Sequence, residues 1–261
     1  MRPLLFHLLS ILIVLLSLSG CQSYQYVTVK SDLNNNDVGE YYIENDTVKV
    51  FFLFTGANGP VIIEVINKLD QPLYVNWKNS ALIVNGKSHP LWMDIANVNI
   101  NTDGVAYSYP NGQFIGASSS GTITKKEPIS FLPPATSVIN DNYKLAGQHI
   151  DIPKSHRPHK FTLPSANGFI DVKKYEFAPD NSPMSFRLFL TYATDEQQKT
   201  SVVLDEAFWI SEIITTDLPP ESFPKNPSNR FYVSKPTGFA KASAYIIGIP
   251  VLIGLAALGA Q

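Results

Sequence analysis

From Tyr41 onward the chain is built of short apolar runs separated by turn residues. Val48–Phe54 ends at Gly56-Ala-Asn-Gly59, and Val61–Ile66 ends at Asn67-Lys-Leu-Asp-Gln-Pro72. Leu73–Trp77 and Ala81–Val84 follow, then Asn85-Gly86 and His89–Met93. The runs are rich in β-branched and aromatic residues, which fit a pleated, half-buried surface, so each predicts a strand. Asn-Gly tolerates positive φ at both central positions, so Asn85-Gly86 predicts a tight hairpin turn. Ile129–Leu132, Phe169–Val172, Ser185–Tyr192, Ser201–Leu204 and Ala207–Thr215 continue the pattern. Short strands at this spacing predict a mainly β body over residues 41–216. The expected architecture is an antiparallel, Ig-like β-sandwich of about 8–10 strands.

Two stretches interrupt the rhythm. Residues 94–125 are thin in apolar side chains, and Gly116-Ala-Ser-Ser-Ser-Gly121 reads as a flexible loop on composition. Residues 141–168 carry His149, His156 and His159 among prolines and read as a long excursion.

The two ends are patterned differently. Arg2 precedes an apolar run from Leu4 to Leu18, and small residues follow it. That order predicts a secretory signal over 1–20. The run closes on Leu18-Ser19-Gly20-Cys21, which resembles the lipobox of bacterial lipoprotein signals. The resemblance implies cleavage before Cys21 and attachment of diacylglyceryl and further acyl (palmitate-type) chains to that residue. Two or more chains anchor stably where one does not. At the other end, residues 242–260 contain no charged residue. About 20 such residues cross a bilayer core as a helix, so a C-terminal transmembrane helix is expected. Ala244, Gly248 and Ala256 recur at multiples of four, the spacing that lets helices pack closely in a membrane. Through 242–260 a homo-oligomer or a protein partner is expected. Residues 21–40 are expected to be a polar tether. Residues 217–241, with Pro219, Pro220, Pro224, Pro227 and Pro236, are expected to be an extended linker.

Composition changes this picture only slightly. A formal net charge of −2 excludes the basic footprint of a nucleic-acid partner. Cys21 is the single cysteine, so a disulfide within the chain is excluded. Stability must then come from a packed core, for which 15 Phe, 12 Tyr and 3 Trp are an adequate supply. Tyr41, Tyr42, Phe51, Phe52, Phe54, Trp77, Trp92 and Trp209 are expected in that core, with alternate rings such as Phe51 facing outward.

Candidate chemistry is sparse. His156-Arg-Pro-His159, with His149 and Asp151 before it, offers the donor types that zinc prefers. Pro158 forbids a regular helix across the pair, and Lys154, Arg157 and Lys160 oppose a bound cation. His149, His156 and His159 are therefore weak metal candidates, and no metal or other cofactor is expected. No Gly-x-Ser-x-Gly elbow occurs, so no nucleophilic serine is assigned. Asp171, Glu176, Asp205 and Glu206 sit near strand ends, where any pair of carboxylates has the chemistry for acid–base work.

Glu64–Trp77, then Ser80–Gly86, then Pro133-Pro134-Ala135-Thr136 together resemble a family of uncharacterised bacterial lipoproteins. The same alternation is similar to Ig-like sandwiches of the late-embryogenesis-abundant type. The resemblance implies a sandwich body and no assigned activity. The expected function is that of a non-catalytic cell-envelope lipoprotein, structural or adaptor-like, with its body in the periplasm. A glycan- or peptide-binding module is the first alternative. A metal-dependent enzyme using residues 149–159 is the second. Gln22 after the cysteine points to the outer membrane, and a spanning helix to the inner.

Overall fold

The computed structural model describes residues 22–93, 96–109, 112–125, 127–165, 168–223 and 226–236; within 96–125 it describes the backbone. The structure is mainly β, at 60% strand. Among the described residues the helical content is one 3-10 turn at Pro220–Ser222.

The strands are β1 (Gln22–Lys30), β2 (Asn34–Asn35), β3 (Tyr41–Glu44), β4 (Val48–Leu53), β5 (Gly56–Ala57) and β6 (Pro60–Asn67). They continue with β7 (Leu73–Val84), β8 (Lys87–Pro90), β9 (Ala96–Tyr109), β10 (Gly112–Lys125), β11 (Ile129–Leu132) and β12 (Ser137–Lys144). The last are β13 (His159–Ser165), β14 (Gly168–Glu176), β15 (Ser185–Ala193), β16 (Ser201–Thr216) and β17 (Arg230–Pro236).

A ten-stranded sheet has the central order β11-β7-β15-β16-β1-β17-β5, with β8 also beside β7 and the β13–β14 hairpin beside β16. The length of β16 makes this branching possible. One edge pairs with β15 from Ser201 to Trp209 and then with β14 from Glu212 to Thr215. Its other edge pairs with β1 from Trp209 to Thr216. A five-stranded sheet has the order β12-β6-β4-β3-β2. β9 and β10 form a separate antiparallel pair, in register from Gly112↔Tyr109 to Lys125↔Ala96.

Period-2 alternation builds the core. Val48, Val50 and Phe52 of β4 and Val61, Ile63 and Val65 of β6 point to one face of the small sheet and are buried. They meet Leu188, Leu190, Phe208 and Ile210 from the large sheet in a single cluster. Phe208 sits at its centre, with ring centroids 5.4 Å from Phe52, 5.2 Å from Phe54 and 5.3 Å from Phe186. Burying side chains of this size contributes about 1.5–3 kcal/mol each, so the two facing sheets hold each other. On the opposite face of β4, Lys49 Nζ lies 5.0 Å from the Tyr42 ring and 5.1 Å from the Phe51 ring. Of the aromatic residues expected inside, Tyr41, Phe52, Phe54, Trp77 and Trp209 are buried, while Tyr42, Phe51 and Trp92 are half-buried.

The Asn85-Gly86 turn closes the β7–β8 hairpin, with φ of 49° and 76°. Other expectations are corrected. The tether expected over 21–40 contains β1, which is central in the large sheet, paired with β16 and β17, and carries buried Tyr26, Val27 and Val29. The linker expected over 217–241 contains β17, whose Phe231 and Val233 are buried. Prolines bracket that strand but leave its interior free to pair. Residues 96–109 and 112–125 form the β9–β10 ladder, so Gly116–Gly121 is strand. Cross-strand backbone bonding needs no apolar side chains, which is why composition missed it. Among the described residues seventeen strands stand against the 8–10 expected, because β1, β9, β10, β13 and β17 lie in stretches read as tether, loop, excursion or linker, and β2 and β5 are too short to show a period.

The expected signal residues Leu18, Ser19, Gly20 and Cys21, and the expected helix at 242–260 with Ala244, Gly248 and Ala256, lie outside the described residues. Among the described residues no helix is long and apolar enough to cross a membrane.

Candidate functional site

The two sheets part at one side, where β11 edges the large sheet and β12 edges the small one. Between them lies a cleft of about 620 Å³, within the range of small-molecule sites. Trp77, Leu91 and Trp92 form its apolar floor, and Ile129, Phe131 and Ile139 its rim. Phe131 is 57% exposed and Ile139 58%. Glu127, Ser130, Asn140 and Asn142 bring polar groups to the same space. Trp92 stands just before β9 and Glu127 just after β10, so the long hairpin leaves and re-enters the body at this rim.

The walls are held by specific bonds. Trp77 Nε1 donates to Ser130 Oγ at 2.8 Å, which ties β7 to β11. Its backbone N–H donates to the Pro128 carbonyl at 2.9 Å. Asn140 is buried at a bulge in β12 and donates through Nδ2 to the Leu91 carbonyl at 3.2 Å. Its Oδ1 accepts from the Asn142 N–H at 3.2 Å. Tyr74 packs on Phe131, with centroids 5.5 Å apart. An aromatic and aliphatic cleft with a few convergent amide and hydroxyl groups suits a sugar face or an extended peptide.

The residues that carry the sequence resemblance lie beside this cleft and act as framework. Buried Asn67 donates from Nδ2 to the carbonyls of Gln71 (2.9 Å), Leu132 (3.1 Å) and Pro133 (3.1 Å). Its backbone N–H donates to Thr136 O at 2.9 Å, and Thr136 Oγ1 donates to Pro133 O at 2.8 Å. The 67–72 turn and the Pro133–Thr136 segment are thereby one unit, in which the first carries the chain from the small sheet to the large one and the second carries it back. Ser80 fills the bulge in β7, accepting from Thr191 N–H at 2.9 Å and donating to Asn76 O at 2.6 Å.

The three histidines have separate partners. His149 Nε2 lies 3.0 Å from the Ser23 carbonyl of β1, and burial pushes its pKa below the usual histidine value. His156 packs on Phe177 with centroids 4.8 Å apart. His159 is exposed on β13, opposite Lys174. Among the described residues no group of three or more His, Cys, Asp or Glu is placed to hold a metal ion.

The carboxylates are also dispersed. Asp171 accepts from Thr162 Oγ1 at 2.8 Å, and Asp205 lies 3.3 Å from Arg187. Glu206 has its pKa raised by burial, with the neighbouring Asp205 adding to the shift. Glu176 and Glu212 both hold Lys174 at 2.8 Å, and Glu212 also accepts from Arg230 at 2.9 Å. Burial works to lower the Lys174 pKa, and these two carboxylates outweigh it, so the net shift is upward. This half-buried network joins β14, β16 and β17 and is a staple of the sheet.

Sequence reasoning missed Phe131, Ile139, Asn140 and Glu127 as neighbours. The available signal was Ile129-Ser-Phe-Leu132, a run too short to say which of its faces is covered. No family model, curated protein or solved structure matches the chain.

Proposed function

We propose that the chain is a membrane-anchored cell-envelope lipoprotein of non-catalytic, structural or adaptor type. Its body would be an Ig-like β-sandwich of the late-embryogenesis-abundant kind, facing the periplasm. The observation that carries this reading is the apolar run ending in Leu18-Ser19-Gly20-Cys21 directly before β1. Acyl chains on Cys21 would then be attached to the first residue before an ordered strand. Growth on labelled palmitate tests it: label is expected on the wild-type chain and absent from Cys21→Ala, which should also leave the membrane fraction. Label retained on Cys21→Ala, or absent from the wild type, overturns the reading. Full-length protein compared with a version ending at Lys241 tests residues 242–260: if they span a bilayer, the two separate differently on a membrane density gradient.

The cleft between β11 and β12 favours a second reading, a binding module for glycan or peptide. A ligand that prefers the folded state stabilises it by about 2.7 kcal/mol at a hundredfold excess over Kd. A panel of oligosaccharides and peptides screened by thermal shift tests this, with Phe131→Ala as the variant expected to lose the response.

A further inference from the structure

β1 and β17 are antiparallel neighbours in register Gln22↔Pro236 and Ser23↔Lys235. The start of β1 and the end of β17 therefore lie side by side at one end of the large sheet. No residue separates Cys21 from β1. Only residues 237–241 separate β17 from the apolar run that starts at 242, a reach of at most about 18 Å. The described chain therefore begins and ends at this one end of the sheet.

A third feature stands at the same end. β14 pairs with β16 through Lys173↔Thr215, and β1 pairs with it through Tyr24↔Thr216. Counted from these pairs, Phe169 and Gln22 fall within one residue of the same level, about 3.3 Å. Two strand spacings lie between them across the sheet, about 10 Å. Phe169 is 80% exposed, well beyond Phe131 or Ile139. It faces Pro164 across the β13–β14 hairpin, near Gly168, whose φ of 115° suits glycine alone. The hairpin itself is held firmly. Leu163 and Ile170 pack on a small cluster of Tyr26, Val172 and Ile214 with Tyr24, Tyr232 and Phe223. Lys160, Lys173 and Lys235 lie at this end with Asp171 and Asp217, so charge of both signs is present and the apolar tip supplies the attraction.

We propose that this end of the large sheet rests on the bilayer, with Phe169 inserted at the headgroup–acyl boundary beside the acylated Cys21. The inference rests on the lipid-anchor reading above. An aromatic side chain on a strand packed against the sheet gains there by leaving water, and lysines and tyrosines flanking it suit the interface. Both apolar ends then enter one membrane, and the body cannot bridge two.

The test uses the full-length lipidated protein in phosphatidylethanolamine–phosphatidylglycerol vesicles carrying brominated acyl chains. Cys21 is the single cysteine, and acylation blocks its thiol, so Phe169→Cys and Val203→Cys can each be labelled with a polarity-sensitive fluorophore. Val203 is 45% exposed near the opposite end of β16. The label at 169 is expected to shift to the blue and to be quenched severalfold more than that at 203. Equal quenching at both positions, with palmitate present on Cys21, overturns the bilayer contact alone. Absence of palmitate from Cys21, checked before labelling, overturns the anchor reading and the contact together.

Discussion

The body exposes apolar side chains in two places that differ in shape and in what adjoins them. At the β11–β12 edges, Ile129, Phe131 and Ile139 surround a concave space into which Ser130, Asn140 and Asn142 also converge. At the start of β14, Phe169 stands out into solvent beside the strand ends that lead to Cys21 and to residue 237. Concavity with fixed polar partners suits a ligand of defined shape. An exposed aromatic beside chain ends suits a fluid, shapeless partner such as a bilayer. The difference lies in geometry, since both places are aromatic and aliphatic.

Several substitutions would break or sharpen that contrast. Trp77→Ala removes the cleft floor and part of the core, with an expected cost of about 3–5 kcal/mol in urea unfolding. Asn67→Ala leaves the Gln71, Leu132 and Pro133 carbonyls without their donor, for an expected loss of about 1–3 kcal/mol. By contrast, Phe131→Ala and Phe169→Ser should each shift stability by no more than about 0.5 kcal/mol, because both rings are exposed. The first should abolish a ligand response and spare bilayer contact; the second should do the reverse. If either variant affected both, the two surfaces would be one.

The smallest effect concerns pH. Burial of His149 lowers its pKa below the usual 6.5, although its contact with the Ser23 carbonyl works the other way. The unfolded chain then binds the proton more readily, so stability should fall as pH drops below about 6.5. His149→Gln should flatten that part of a stability profile measured between neutral and acidic pH. An unchanged profile would show that burial of His149 does not disfavour its charged form.

How much of this was legible depends on the range of each interaction. β4, β6, β15 and the Asn85-Gly86 turn were readable because alternation and turn chemistry act over a few residues. β1 was hidden behind its reading as a tether, although Gln25, Val27 and Val29 alternate with Tyr24, Tyr26 and Thr28. β17 was hidden by the prolines around it. The cleft was not legible, since Trp77 and Asn140 meet only through the facing of two sheets.

By itself the sequence determined the strand-forming segments, the main turns and the apolar character of both ends, because local sterics and side-chain period decide these. Only the tertiary structure decided that β1 and β17 pair, that Gln22 and Pro236 lie side by side and that the cleft exists. Strand partners distant in sequence are selected by the packing of the whole core, and no local pattern encodes that choice.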